Sequence, residues 1–178
     1  CAYNEIGKYL GMPTQAYISL TDSKQLDVQA GLESGMGATL AALSGINNIS
    51  GPGMIDFESC MSLEKLVIDN ELCGMMLRMV KGIEPREDFP SLPRFEELLK
   101  DGHLLISKHT RKYVKEEIYF PGPVINRANN ARWTEEGSST MDDRAHHEVE
   151  RLLLNYQPSS LPGETQKELI SIMETEGG

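Results

Sequence analysis

The chain lacks the features by which many enzymes can be recognised. It has no Gly-Lys-Ser/Thr phosphate loop, no G-x-G-x-x-G turn, no H-E-x-x-H zinc pair and no G-x-S-x-G nucleophile elbow. No apolar run approaches the roughly 20 residues that span a bilayer, so no segment reads as a membrane anchor. The cysteines Cys1, Cys60 and Cys73 occur without C-x-x-C spacing. Such a set argues against a disulfide framework or a zinc site and points to a reducing cytoplasm, with Cys60 and Cys73 as small core hydrophobes. Positive charge is scarce, since 17 Lys and Arg stand against 27 Asp and Glu for a net charge of −10. That balance argues against nucleic acid or an anionic membrane as the main partner and favours a cationic or positively surfaced one. A starting methionine is missing as well. Residue 1 is Cys and the first Met is Met12, so the chain is expected to be a C-terminal piece of something longer.

What is present is an α/β pattern. Residues 4–10 have helical spacing at Ile6, Tyr9 and Leu10 and stop at Gly11. Residues 15–20 are short and rich in β-formers, and Thr21-Asp22-Ser23 follows as a strand-to-helix loop. Asp27 can cap a helix over 28–43, whose large apolar residues Val28, Leu32, Met36, Leu40 and Leu43 share one face. Its many glycines and alanines predict close packing, with much of the helix buried. Residues 46–50 read as a second strand, the 51–54 segment as its terminal loop, and Ser62 as the N-cap of a helix running to about Lys81. Strand, helix, strand, helix predicts adjacent parallel strands at 17–20 and 46–50, with functional groups at their carboxyl ends. Beyond Gly82 three prolines mark an appended, mainly helical region, with a clear helix from Met141 to Asn155 and a last one over 165–174. The domains are accordingly drawn at 1–83 and 84–178.

Other candidates have plainer explanations. His147 and Glu150 lie three apart on a helix and could ligate a metal, but such pairs on charged helices are usually solvated. His103 and His109 are weaker still, and no metal site is expected. Met75, Met76 and Met79 read as core packing. Gly51-Pro52-Gly53 after a strand could cradle an anion or simply turn the chain.

The densest polar segment, Thr21 to Gly31, belongs to a wider pattern. Met12-Pro13-Thr14, Ser19-Leu20-Thr21-Asp22-Ser23-Lys24, Asp27-Val28-Gln29-Ala30-Gly31, Ala42-Leu43-Ser44-Gly45, Gly51-Pro52-Gly53-Met54 and the stretch from Ser62 to Asn70 resemble the C-terminal part of the trimethylamine:corrinoid methyltransferase superfamily. Asp101-Gly102-His103, Lys108-His109-Thr110, Asn126-Arg127, Trp133 and Gly137-Ser138 extend the resemblance over nearly the whole chain. It implies the last two βα units of a TIM (β/α)8 barrel plus a helical extension, because 178 residues cannot close such a barrel alone. Apolar faces made for the absent strands should then lie exposed.

The resemblance also carries a departure. Its trimethylamine enzymes hold a pyrrolysine at the position matched here by Leu20, which has no electrophile. This chain therefore resembles the non-pyrrolysine branch, acting on quaternary amines such as glycine betaine. The resemblance further implies that a corrinoid carried by a cognate partner protein accepts the methyl group and that no cofactor is bound directly. A quaternary nitrogen needs no covalent activation, only a site that holds the cation in line. Leu20, Thr21 and Asp22 are the candidate catalytic set. Tyr17, Ser19, Lys24, Gly51, Gly53 and Met54 are the candidate substrate contacts, with Asp22 and Tyr17 toward the cation and Lys24 or the 51–54 backbone toward a carboxylate. Asp22 as a helix cap and Lys24 as a solvated side chain remain open. So do an inert piece that docks the corrinoid protein and a phosphate-binding barrel enzyme. Self-association is expected.

Overall fold

The computed structural model describes residues 1–86 and 89–176. Helix α1, Ala2–Tyr9, is ended by Gly11, whose φ of +68° suits a residue without a Cβ. Strand β1, Gln15–Ala16, pairs in parallel with β2, Asn48–Ile49, in the register Gln15 to Asn48 and Ala16 to Ile49. Between them runs α2, Val28–Ser44. Asp27 Oδ1 accepts the Ala30 amide at 3.0 Å, and Gly45 closes the helix at φ +71°. The parallel pairing is as expected, but the ladder lies earlier than expected and is only two residues long. Residues 17–20 lie outside it because Ser19 turns to φ +68°, which takes the backbone out of the extended region.

Helix α2 packs closely through its small residues, as expected, but much less of it is buried than expected. Ala30, Ser34, Gly37, Ala38 and Ala41 are buried, whereas Val28, Leu32, Met36, Leu40 and Leu43 are 46–88% exposed. A Cβ on Gly37 would stand 2.8 Å from the Ser19 amide nitrogen, so the small-residue face is what allows the helix to lie against the β1 segment. The large apolar stripe is left outside. Together with exposed Ile6 and Tyr9 of α1 and Leu10 just after it, it provides the uncovered apolar surface foreseen above.

After β2 the chain makes an unforeseen antiparallel hairpin of β3, Met54–Ile55, and β4, Cys60–Met61. Cys60 is therefore exposed and not a core hydrophobe, while Cys73 is half-buried and burial pushes its thiol up. Helix α3, Leu63–Val80, begins where Ser62 Oγ accepts the Lys65 amide at 3.1 Å. It packs on α2 and on α7, Met141–Asn155. The other later helices are α4, Leu92–Asp101; α5, Lys108–Glu117; α6, Asn130–Glu135; and α8, Gly163–Glu176. Glu71 of α3 accepts the Tyr119 hydroxyl at 2.9 Å and the Gly122 amide at 3.0 Å. Ala145 and Val149 of α7 are buried beside Val124, whose carbonyl accepts Arg144 Nε at 2.9 Å. The described residues are mixed α/β, mostly helical, with short strands and no closed barrel among them. Among the described residues no helix is long and apolar enough to cross a membrane.

A titratable clasp joins α7 to α3. His146 Nδ1 lies 3.0 Å from Glu64 Oε1. The Glu64 bond, reinforced by Glu150, holds His146 above its ordinary value, and the same bond holds the Glu64 carboxyl below its own. The lowered carboxyl stabilises above its unfolded value near 4.5, and that contribution is lost as pH falls through the folded value. The raised imidazole stabilises below its unfolded value near 6.5, and that contribution is lost as pH rises through the folded value. The clasp is thus strongest in the weakly acidic window between them. His146→Gln should lower the thermal midpoint more at pH 5.5 than at pH 8.5, and a deficit independent of pH would show that no charge is involved.

Candidate functional site

At the carboxyl ends of β1 and β2 two loops meet. The Thr21 amide donates to Met54 O at 3.2 Å and the Asp56 amide to Ser23 O at 3.0 Å. Ser19, Leu20, Thr21, Asp22, Gly51, Gly53 and Met54 thereby form one cluster, with Leu20 half-buried between buried Ser19 and Thr21. Ser19 Oγ is buried without a hydrogen-bond partner among the described residues. Thr21 Oγ1 donates to Glu33 Oε2 at 2.6 Å, and the Asp22 amide donates to the same oxygen at 2.9 Å. These bonds, with that of Gln29, hold the Glu33 carboxyl below the usual range. An ionised Glu33 of α2 thus fixes the start of the loop.

The Asp22 carboxylate itself is half-buried and has no hydrogen bond or ion pair among the described residues. Capping of α2 falls to Asp27, so Asp22 is not spent there. Lys24 sits at the edge of the cluster. Its Nζ donates to Asp22 O at 2.8 Å, pairs with Asp56 Oδ1 at 3.2 Å and lies 5.1 Å from the Phe57 ring centre. Tyr17 stands apart on the surface, 64% exposed. The 51–54 loop has little to offer an anion. The Gly53 amide donates to Asp69 Oδ2 at 2.7 Å, the Met54 amide to Gly51 O at 3.1 Å, and Pro52 has no N–H.

Beneath both loops lies the buried pair Lys65–Asp69, one turn apart on α3 and each 1% exposed. Lys65 Nζ also donates to Ser19 O at 3.2 Å. Burial drives the Asp69 carboxyl upward, against the opposing pull of the Lys65 ammonium and the Gly53 amide. The sequence reading passed over Glu33, Lys65 and Asp69. Glu33 carried a signal, as the sole charged residue of an otherwise apolar and small-residue helix. A Lys and Asp four apart look like an ordinary surface pair.

A cleft of about 400 Å³ opens beside the cluster, lined among others by Lys24, Leu26, Ile55, Glu64 and His146. His147 and Glu150 form no metal cluster. Among the described residues no three His, Cys, Asp or Glu side chains come together to hold a metal ion. The strand-end cluster offers a half-buried Asp22 carboxylate without a partner among the described residues, a Lys24 ammonium already paired with Asp56, and the half-buried Leu20 side chain.

The family model described as trimethylamine methyltransferase (MTTB) matches residues 1–176. A glycine betaine methyltransferase of Desulfitobacterium hafniense (strain Y51) is 34% identical over 174 residues, 97% of this chain and 36% of that protein. A trimethylamine methyltransferase of Methanosarcina barkeri (strain Fusaro / DSM 804) is 31% identical over 174 residues, 97% of this chain and 34% of that protein. The chain spans about a third of the length of these curated relatives.

Proposed function

The chain belongs to the trimethylamine methyltransferase family, and from that premise we propose that the whole protein transfers a methyl group from a quaternary amine of glycine betaine type to the cobalt of a corrinoid protein. In this reading β1 and β2 are the last two strands of a TIM barrel, and the strand-end cluster forms part of its mouth. The observation that carries the proposal is Leu20. An aliphatic side chain stands where the resemblance places pyrrolysine, held half-buried within a well-matched segment. The 34% identity to a glycine betaine methyltransferase points the same way.

The corrinoid, carried by its own protein, supplies the nucleophile. This chain's part is placement. The C–N bond breaks with its electron pair left on nitrogen, so a neutral tertiary amine leaves and no proton has to be delivered. Leu20 packs against the methyl groups, and the Asp22 carboxylate faces the cation. Lys24, already shared among Asp56, Asp22 O and Phe57, reaches a substrate carboxylate only by giving up part of that set.

The test uses the full-length protein with a reduced corrinoid protein and follows cobalt methylation by absorbance. Glycine betaine or a related quaternary amine should be turned over, and trimethylamine should not. Asp22→Asn should raise KM about tenfold, the loss of roughly 1.4 kcal/mol of cation attraction. Leu20→Ala should weaken placement without abolishing transfer. Turnover of trimethylamine, or of no quaternary amine across a broad panel, would overturn the substrate assignment.

A further inference from the structure

We propose that Lys65 and Asp69 are positioning residues, a buried clamp that sets the Leu20 segment against the Met54 loop so that the substrate pocket keeps its shape. The functional part of this inference rests on Leu20 lining that pocket. Each half of the clamp holds one loop by its backbone. Lys65 Nζ takes the carbonyl of Ser19, immediately before Leu20, and Asp69 Oδ2 takes the amide of Gly53, immediately before Met54. The ion pair between them closes the bridge.

What the clamp restrains is a conformation the chain would not choose unaided. Ser19 is a non-glycine residue at φ +68°, and such backbone persists only where the surroundings over-determine it. Its hydroxyl is buried without a partner among the described residues, so the side chain does not supply the restraint. The neighbouring contacts leave little slack. A Cβ on Gly37 would stand 2.8 Å from the Ser19 amide nitrogen, and one on Gly51 would stand 3.0 Å from the Leu20 amide nitrogen. A buried ion pair is a poor choice for stability alone, since a well-packed apolar pair of similar volume often does as well or better. Its distinctive property is that both ends also hold main-chain groups in fixed directions, which an apolar pair cannot do.

That difference supplies the experiment. In the full-length protein, Lys65→Met with Asp69→Leu removes both charges together and should leave the thermal midpoint within a few degrees of the parent. Hydrogen exchange of peptides covering 18–22 and 51–55 should then be at least about tenfold faster, while exchange within α3 is unchanged. Turnover of the quaternary amine should fall roughly 10- to 100-fold in kcat, the scale expected when a reacting group is misplaced by about an ångström. Parent-like exchange in both segments, or fast exchange with parent-like kcat, would overturn the proposal. If the double variant does not fold, Asp69→Asn carries the test, because it keeps an acceptor for Gly53 but weakens the hold on Lys65. Faster exchange at 18–22 then supports the clamp and parent-like exchange there refutes it. If the parent protein turns over no quaternary amine, the substrate reading fails while exchange still decides whether the clamp exists.

Discussion

Lys65→Met alone is expected to be among the most damaging single substitutions in the chain, costing about 3–5 kcal/mol, the range measured when one partner of a buried ion pair is removed. The loss comes from what is left behind. Asp69 is 1% exposed and among the described residues would keep only the Gly53 amide as a partner, so either an uncompensated carboxylate stays buried or the group takes up a proton. Ser19 O loses its donor at the same time. Chemical denaturation of the single variant against the parent and the double Lys65→Met, Asp69→Leu variant measures this directly. The single variant should be far the least stable, although it carries fewer changes than the double. Equal midpoints for parent and single variant would mean that water reaches Asp69 and that the pair is not sealed.

Local signals and distant constraints were unequally legible in the sequence. The limits of α2 and α3 were readable because Asp27, Gly45 and Ser62 act on groups within a few residues of themselves. The start of α7 at Met141 has a local cause too, since Thr140 and Asp143 cap it reciprocally. The polar strand-end segment could be located from composition and the alternation of elements. What could not be read was imposed from far along the chain. The early end of β1 depends on the positive φ of Ser19, which Lys65 holds from 46 residues away. Helix α2 shows two periodic faces, one small and one large, and periodicity alone cannot say which meets the strands. Steric closeness to Ser19 decides for the small one. Cys60 seemed a core residue until the hairpin carried it outward, and the hairpin depends on pairing between Met54 and Met61 that no turn motif announces.

Gly51→Ala is the second substitution expected to have a large effect, and it separates two roles for the 51–54 loop. As an anion-binding turn the loop would need its amides, and an alanine at 51 would leave them in place. As a packing element it needs the absence of a Cβ. The geometry favours the second role. A Cβ at Gly51 would lie 2.8 Å from the carbonyl carbon of Ile18, nearer still to its oxygen, and 3.0 Å from the Leu20 amide nitrogen. All three obstacles are main-chain atoms of one segment, so no rotamer change relieves them. The backbone can retreat only by pulling Ser19 from Lys65, or Gly51 from the Met54 amide it accepts at 3.1 Å. Overpacking of this kind should cost about 3 kcal/mol, the upper end of the usual range. It should also displace Leu20, so the folded fraction of the full-length variant should be impaired in quaternary-amine turnover out of proportion to its loss of substrate affinity. Gly31→Ala is the matched control. That glycine lies within the first turns of α2, has nothing within 4 Å of where its Cβ would stand, and by helix propensity should gain up to about 1 kcal/mol. A Gly51→Ala protein as stable and active as the Gly31→Ala control would show that the two strand-end segments are not in contact as described.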